Sequence, residues 1–420
     1  MIDDYCCVLR AVFLVFWLSG FLACPKLRIM TGAHINGGST LKIQQNSLST
    51  DKKKIDQFLL LVTLALLVIG IGMVYSTSQM LGYRLHNHDS FHYLRIQLIA
   101  CLLGLSGMVF TAYFDYKHYE KLAKPMLIVA VILLVLVFSP LGISVRNATT
   151  GQEFRRWIMI AGQRFQPVEI AKLVLIIYIA QFLSNKSDRI RSLTRGVLPN
   201  ILVLLIFFLL IYAQPDFGSA VLISTVVVIM LFAGGARTSQ IAMIAIIACF
   251  FLYHSIEGDE YRLQRVQGFI NSWQKPEASN YQVDQALNAL AVGGLSGVGV
   301  GQSIYKLFYL PYPHTDFVFA IIGEEMGFFG GLIVIVLFMA LVYRGFQIAM
   351  KVDDTFGSML AMGISSMLSL QTIVNIGVVT GVLPTKGITL PLISYGGSSL
   401  VFTLVSIGIL LNISRYVGKL

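Results

Sequence analysis

A histidine and three carboxylates fall within twelve residues of this 420-residue chain, in Pro311-Tyr-Pro-His-Thr-Asp-Phe-Val-Phe-Ala-Ile-Ile-Gly-Glu-Glu325, where a polar segment runs into an apolar one. Pro311 and Pro313 hold the approach extended, and the oxygens of Thr315 or Asp316 can cap a helix begun by Phe317. Asp316, Ala320 and Glu324 recur every four residues, so Asp316 and Glu324 share a helix face, with Glu325 beside it. Two acids on one face at membrane depth cost about 3 kcal/mol or more each unless paired or wetted, which points to a water-filled functional cavity. The plainer reading makes Asp316 an N-cap and Glu324 and Glu325 a packed ion-pair site.

The elements that position these groups are membrane helices. The chain is 56% hydrophobic and 12% charged, with a mean hydropathy of +0.75, far from a soluble globular composition. The net charge of +10 is spread in short clusters between apolar runs, a pattern that suits lipid headgroups and excludes a nucleic-acid surface. The five cysteines form no C-x-x-C pair or metal-ligand spacing, and Cys101 and Cys249 sit in apolar runs as small hydrophobes. Apolar runs long enough to span recur at 57–77, 95–113, 125–144, 168–184, 197–213, 217–234, 239–255, 316–343, 357–380 and 393–414. The fold class expected is an all-α polytopic membrane protein of about ten transmembrane helices. Ala11–Cys24 is apolar but short for a span, and Asp3 and Asp4 precede it, so residues 1–29 read as an upstream extension.

Orientation follows from the basic residues. With Lys52–Lys54 inside, fifteen Lys and Arg fall on inside segments, against seven (Arg84, Arg95, Arg146, Arg155, Arg156, Arg164 and Lys386) on the short outside loops. Both ends are therefore expected in the cytoplasm, as an N-terminal segment 1–56 and a tail 417–420 around a membrane domain 57–416. The long polar connection 256–315, between the seventh and eighth helices, is expected outside, and a connection of that length calls for a function.

The other outside segments also carry groups suited to chemistry. Arg155, Arg156 and Arg164 flank the fourth span, which opens Gln166-Pro-Val-Glu-Ile-Ala-Lys172, and Glu169 and Lys172 lie three apart on one face. They make either a structural ion pair or part of a cavity wall. Asp216, in Gln214-Pro-Asp-Phe-Gly218, suits a cap or chemistry equally. Gly293–Gly301 lacks the lysine of a P-loop and a preceding strand, so its glycines are expected to let the backbone pass close to a neighbour or ligand. Leu383–Ser399 is apolar but broken by Pro and Gly, the pattern of half-helices around a cavity. Lys386 and the helix start at Ser398 and Ser399 suit an anion or diphosphate site, or else close packing through Gly396 and Gly397.

Taken together, Gln166–Lys172, Gln214–Gly218, Lys306-Leu-Phe-Tyr-Leu-Pro, His314–Glu325, Leu383-Pro-Thr-Lys-Gly and Ile393-Ser-Tyr-Gly-Gly-Ser-Ser399 resemble the SEDS family of bacterial cell-wall polymerases (the FtsW/RodA/SpoVE family) over about residues 50–416. Ile321-Ile-Gly-Glu-Glu and Pro384-Thr-Lys-Gly-Ile-Thr-Leu-Pro look like its division-type, FtsW-like branch. Val168, where the family usually has Ser, and the N-terminal extension depart from the pattern. The resemblance implies a peptidoglycan glycosyltransferase that polymerises lipid II for septal wall synthesis, inverting the anomeric carbon and releasing undecaprenyl diphosphate. It implies Asp316 as catalytic base and Glu169, Lys172, Arg156, His314, Glu324, Glu325, Lys386 and Ser398 as cavity residues, with Arg156 and Lys386 toward the diphosphate. No organic cofactor is implied; a divalent cation, Mg or Mn, stays open. The partners implied are lipid II, a class B penicillin-binding protein and other divisome membrane proteins, at the inner membrane and its septum. Two other readings remain at this point, a lipid II flippase and a non-catalytic scaffold for a transpeptidase.

Overall fold

The computed structural model of the chain describes residues 54–146, 153–160, 162–185, 190–274 and 281–417. The expected extension 1–29, most of the N-terminal segment and residues 418–420 lie outside them. In chain order the helices are α1 (Gln57–Leu85), α2 (His92–Tyr113), α3 (Lys117–Leu136), α4 (Pro167–Asn185), α5 (Leu198–Ala213), α6 (Phe217–Ala233), α7 (Thr238–Glu257), α8 (Glu260–Gln274), α9 (Tyr281–Gly293), α10 (Val318–Lys351), α11 (Thr355–Val379) and α12 (Gly397–Ser414). Each apolar run expected to span falls on one of them. Among the described residues eight are long and apolar enough to cross a membrane, α5 when joined to the π-helical turn Leu193–Val197 before it; α3 carries Lys117, Glu120, Lys121 and Lys124 in its first half, and α6 has 17 residues.

The interior is built around α4 and α11, whose residues are buried on nearly every face. Outlying helices do the opposite: α5 and α7 present Leu202, Leu205, Ile246 and Phe250 outward, an apolar exterior that water would penalise and a lipid solvent accepts. Polar side chains knit the helices from within. Asn412 of α12 donates to the Ala112 carbonyl (2.8 Å) and accepts from the Tyr116 N–H (3.0 Å), and Thr111 of α2 donates to the Val405 carbonyl (3.1 Å). At the start of α1, Asp56 caps Leu59 and pairs with Arg344 at 2.6 Å, tying α1 to the far end of α10.

The helical polytopic fold is as expected, with one small addition and one shift. Gly142–Arg146, Glu153–Ile160 and Gln163–Phe165 form an antiparallel sheet, β1-β2-β3, ahead of α4. The third span, expected at 125–144, is shifted toward the N-terminus, because the helix ends at Leu136 and Pro140, which cannot continue a hydrogen-bonded turn, lets the chain enter β1. The long connection 256–315 also has structure of its own, in α8 and α9, and α9 packs along α10.

Candidate active site

The helix that follows Asp316 starts at Val318, one residue later than its sequence suggests, and no side chain caps it. The Thr315 hydroxyl turns back to the Tyr312 carbonyl at 3.4 Å. Among the described residues no hydrogen bond ends on the Asp316 carboxylate, so neither residue is the cap that spacing allowed. Asp316 lies in the connecting segment, set deep but with some surface left, beside Gly387 of the broken segment between α11 and α12. Burial pushes its carboxyl up to about 6, while Arg265 and Arg156 draw it down and Asp216 pushes it further up.

Those charges come from three separate elements, and a fourth adds Lys386. Arg156 leaves β2 to donate to the Gln214 and Pro215 carbonyls, in the turn between α5 and α6. Asp216 caps α6 by accepting from the Ser219 N–H at 3.3 Å. The Lys386 ammonium rides 4.5 Å above the Phe217 ring, and its methylenes fill the space where a Cβ on Gly218 would stand. Burial lowers Lys386 to about 8, with Asp216 acting to raise it. Arg262 and Arg265, one turn apart on α8, complete the set. The Arg262 guanidinium pairs with Asp259 at 3.1 Å and lies over the Tyr212 and Phe217 rings, and Arg265 donates to the Thr385 carbonyl at 3.2 Å. Asp316 is thus under the charges of Arg265 and Arg156, and Lys386 under those of Asp216, Arg265 and Arg262. Arg262 and Arg265 were missed in the sequence, where the signal was a pair of arginines at i and i+3 in the long connection.

The remaining candidates divide. Glu169 and Lys172 pair as expected, at 2.9 Å and buried within α4, but they are not among the charges acting on Asp316. His314 is buried between the Tyr93 and Tyr395 rings, its Nδ1 without a partner among the described residues, and burial lowers it to about 4, so it is neutral near pH 7. Ser398, near the start of α12, accepts from the Gln166 N–H (3.1 Å) and donates to the Arg164 carbonyl (3.4 Å), a tie to the start of α4.

Glu324 and Glu325 sit elsewhere. Glu324 accepts from the Ser303 hydroxyl and the Ile304 (2.7 Å) and Tyr305 (3.3 Å) N–H groups, and Glu325 pairs with Lys306 at 2.8 Å and accepts from the Ser76 hydroxyl at 2.6 Å. Just beyond them α10 is broken at Gly327, whose φ of 67° and ψ of −165° are open to glycine. Val298 and Gly299 donate to the Glu324 and Glu325 carbonyls at 2.9 and 3.0 Å, so the close neighbour of the glycine-rich run is the helix itself. A Cβ on Gly297 would stand 2.2 Å from the Glu325 carbonyl oxygen.

A family model for cell cycle proteins of the FtsW/RodA/SpoVE type matches residues 56–419. The chain belongs to this family. It is 43% identical over 360 residues to the probable peptidoglycan glycosyltransferase FtsW of Trichlorobacter lovleyi, covering 86% of this chain and 93% of that one. To the stage V sporulation protein E of Bacillus subtilis it is 40% identical, covering 88% and 99%. Among solved structures it resembles a chain of a peptidoglycan synthase complex that coordinates polymerization and crosslinking (TM-score 0.68, 26% identity, 86% and 98% covered). It also resembles the rod shape determining protein RodA of Thermus thermophilus (TM-score 0.61, 27% identity, 86% and 97% covered). The division-type resemblance read from the motifs agrees with these relatives, and the protein is a multi-pass membrane protein of the SEDS family.

Proposed function

We propose that the protein is a peptidoglycan glycosyltransferase that polymerises lipid II for septal wall synthesis, with Asp316 as its base. The observation that supports this most is the Asp316 carboxylate itself, with no hydrogen bond on it among the described residues, under the charges of Arg265 and Arg156. A sugar hydroxyl is a poor nucleophile until a positioned base takes its proton. Asp316 accepts the proton of the acceptor's GlcNAc 4-hydroxyl as that oxygen attacks C1 of the donor MurNAc from the face opposite the diphosphate. The C1–O bond breaks with its electrons going to undecaprenyl diphosphate, and the anomeric carbon inverts. Arg156, Arg262, Arg265 and Lys386 supply fixed positive charge for the leaving diphosphate. His314, neutral and wedged between two tyrosines, holds the segment that carries Asp316.

For the divalent cation the donor set is a poor fit. No three of His, Cys, Asp or Glu come together among the described residues, one oxygen of Asp216 is taken as a cap, and the leaving group's counter-charges are already present. We assign residues 256–315 and the Asp316 site to the outer face, and both termini to the cytoplasm, from the distribution of Lys and Arg. A class B penicillin-binding protein is the partner we propose, since polymerised strands require crosslinking.

The deciding experiment incubates purified protein with lipid II and resolves the products on a gel. Glycan strands support the reading. Movement of labelled lipid II across vesicles without lengthening would make the protein a carrier, and neither activity would make it a scaffold.

A further inference from the structure

Asn375 sits near the end of α11, 1% exposed, and points at two pieces of chain that are far apart in sequence. Its amide nitrogen donates both protons, one to the Asp316 carbonyl at 2.8 Å and one to the Ile388 carbonyl at 2.7 Å. Two carbonyl acceptors demand two N–H donors in one plane, so the amide can sit only this way round, and its Oδ1 is left without a partner among the described residues.

Both carbonyls matter for what they carry. In α10 the first turn closes with the Ala320 N–H on the Phe317 carbonyl, so the Asp316 carbonyl is outside the helix ladder and Asn375 takes it instead. Ile388 ends a tight turn in which its N–H bonds to the Lys386 carbonyl at 3.1 Å. Between them, Gly387 lies against the Asp316 carboxylate so closely that a Cβ there would stand 2.9 Å from Oδ2. One buried amide therefore clasps the segment bearing the carboxylate to the turn bearing the lysine.

We propose that Asn375 is a positioning residue that holds Asp316 and the Lys386–Ile388 turn in register for proton transfer and diphosphate departure. The proposal rests on Asp316 being the base. A side chain on a deeply packed helix suits this role, because a rigid support keeps a catalytic group within the fraction of an ångström that rate requires, and misplacement by about 1 Å can reduce rate by about a hundredfold.

The test compares Asn375→Ala, Asn375→Ser, Gly387→Ala and Asp316→Asn with the parent as purified proteins, measuring lipid II polymerisation against pH together with thermal melting. Asn375→Ala should lower kcat about tenfold or more with KM changed less than about threefold, and its acid limb should move from about 6 toward the ordinary carboxylate range as Asp316 leaves its buried position. Asn375→Ser, which keeps one donor, should fall between, and Gly387→Ala should move the same limb by pressing on Oδ2. A parent-like kcat and acid limb in Asn375→Ala, with Asp316→Asn inactive, overturns the clasp and leaves the base standing. An active Asp316→Asn overturns both. If Asn375→Ala does not fold, Asn375→Ser and Gly387→Ala decide, and parent-like acid limbs in both overturn the proposal.

Discussion

Asp316, just ahead of α10, and the pair Glu324–Glu325 within it begin eight residues apart, and their surroundings are opposites. The glutamates are 0% and 1% exposed, and between them they accept from two hydroxyls, two backbone N–H groups and a lysine. Asp316 keeps some surface and has cations near it but no donor on its carboxylate among the described residues. A buried carboxylate already held by several donors gains little from a substrate, since those bonds would have to be released first; Glu325 keeps Oε2 without a partner among the described residues, but Lys306 and Ser76 both hold its Oε1. A buried carboxylate left unbonded keeps its raised pKa and is available to a proton. The first arrangement fastens the segment from Ser303 to Lys306 to α10 and α1; the second is suited to catalysis. These acidic residues therefore divide by the donors that reach them: several on the glutamates, none among the described residues on the Asp316 carboxylate.

Four measurements would break or sharpen that contrast. The largest effect is expected at Asp316: Asp316→Asn should lower polymerisation by roughly a hundredfold or more, the scale of general-base assistance. Its melting temperature should match the parent's, and Asp316→Ala should melt there too, because no cap bond is lost. A Glu324→Gln or Glu325→Gln variant that lost as much rate at unchanged stability would erase the distinction.

At the other cluster, Lys306→Met leaves Glu325 unpaired inside the protein, and removing one partner of a buried pair costs about 3–5 kcal/mol. Lowered thermal stability is the expected outcome, with partial recovery in Lys306→Met/Glu325→Leu. Unchanged melting would mean the latch carries no load.

Glu169 and Lys172 test the same principle within α4. Each alanine variant should lose activity, and the double variant should lose less than the sum, by a coupling of about 0.5–3 kcal/mol. Additive losses would show that the two act separately.

The smallest effect is on pH. Burial raises Asp316 to about 6, so the proton-accepting form is present above that pH, and activity should fall as pH drops through it. Lys386, lowered to about 8, is charged below that value, so a shallower decline should follow as pH rises through it. The acid limb should be absent from the residual rate of Asp316→Asn, and the alkaline one from that of Lys386→Arg.

Much of this was legible without coordinates. Lipid solvent admits only long apolar helices, so the run lengths placed a helix at each expected run, although α1 and α10 continue eight residues past the expected ends and α3 ends early before Pro140 and the sheet. Helical spacing was enough to pair Glu169 with Lys172, because both partners lie within one turn. Spacing also placed Asp316 and Glu324 on one face and offered Asp316 as a cap, and there it misled. Whether a carboxylate caps, pairs or stays open depends on donors from elsewhere: Ser303 and Lys306 for the glutamates, Asn375 for the Asp316 carbonyl.

What the sequence by itself determined is the membrane class, the positions of the helices, and the residues able to accept a proton or meet a diphosphate, since these follow from local composition and periodicity. Only the tertiary structure decided which of them meet. Arg156 from the sheet and Arg265 from α8 act on Asp316, while Arg262, Arg265 and Asp216 act on Lys386 of the broken segment, and no periodicity within one helix encodes contacts between separate elements.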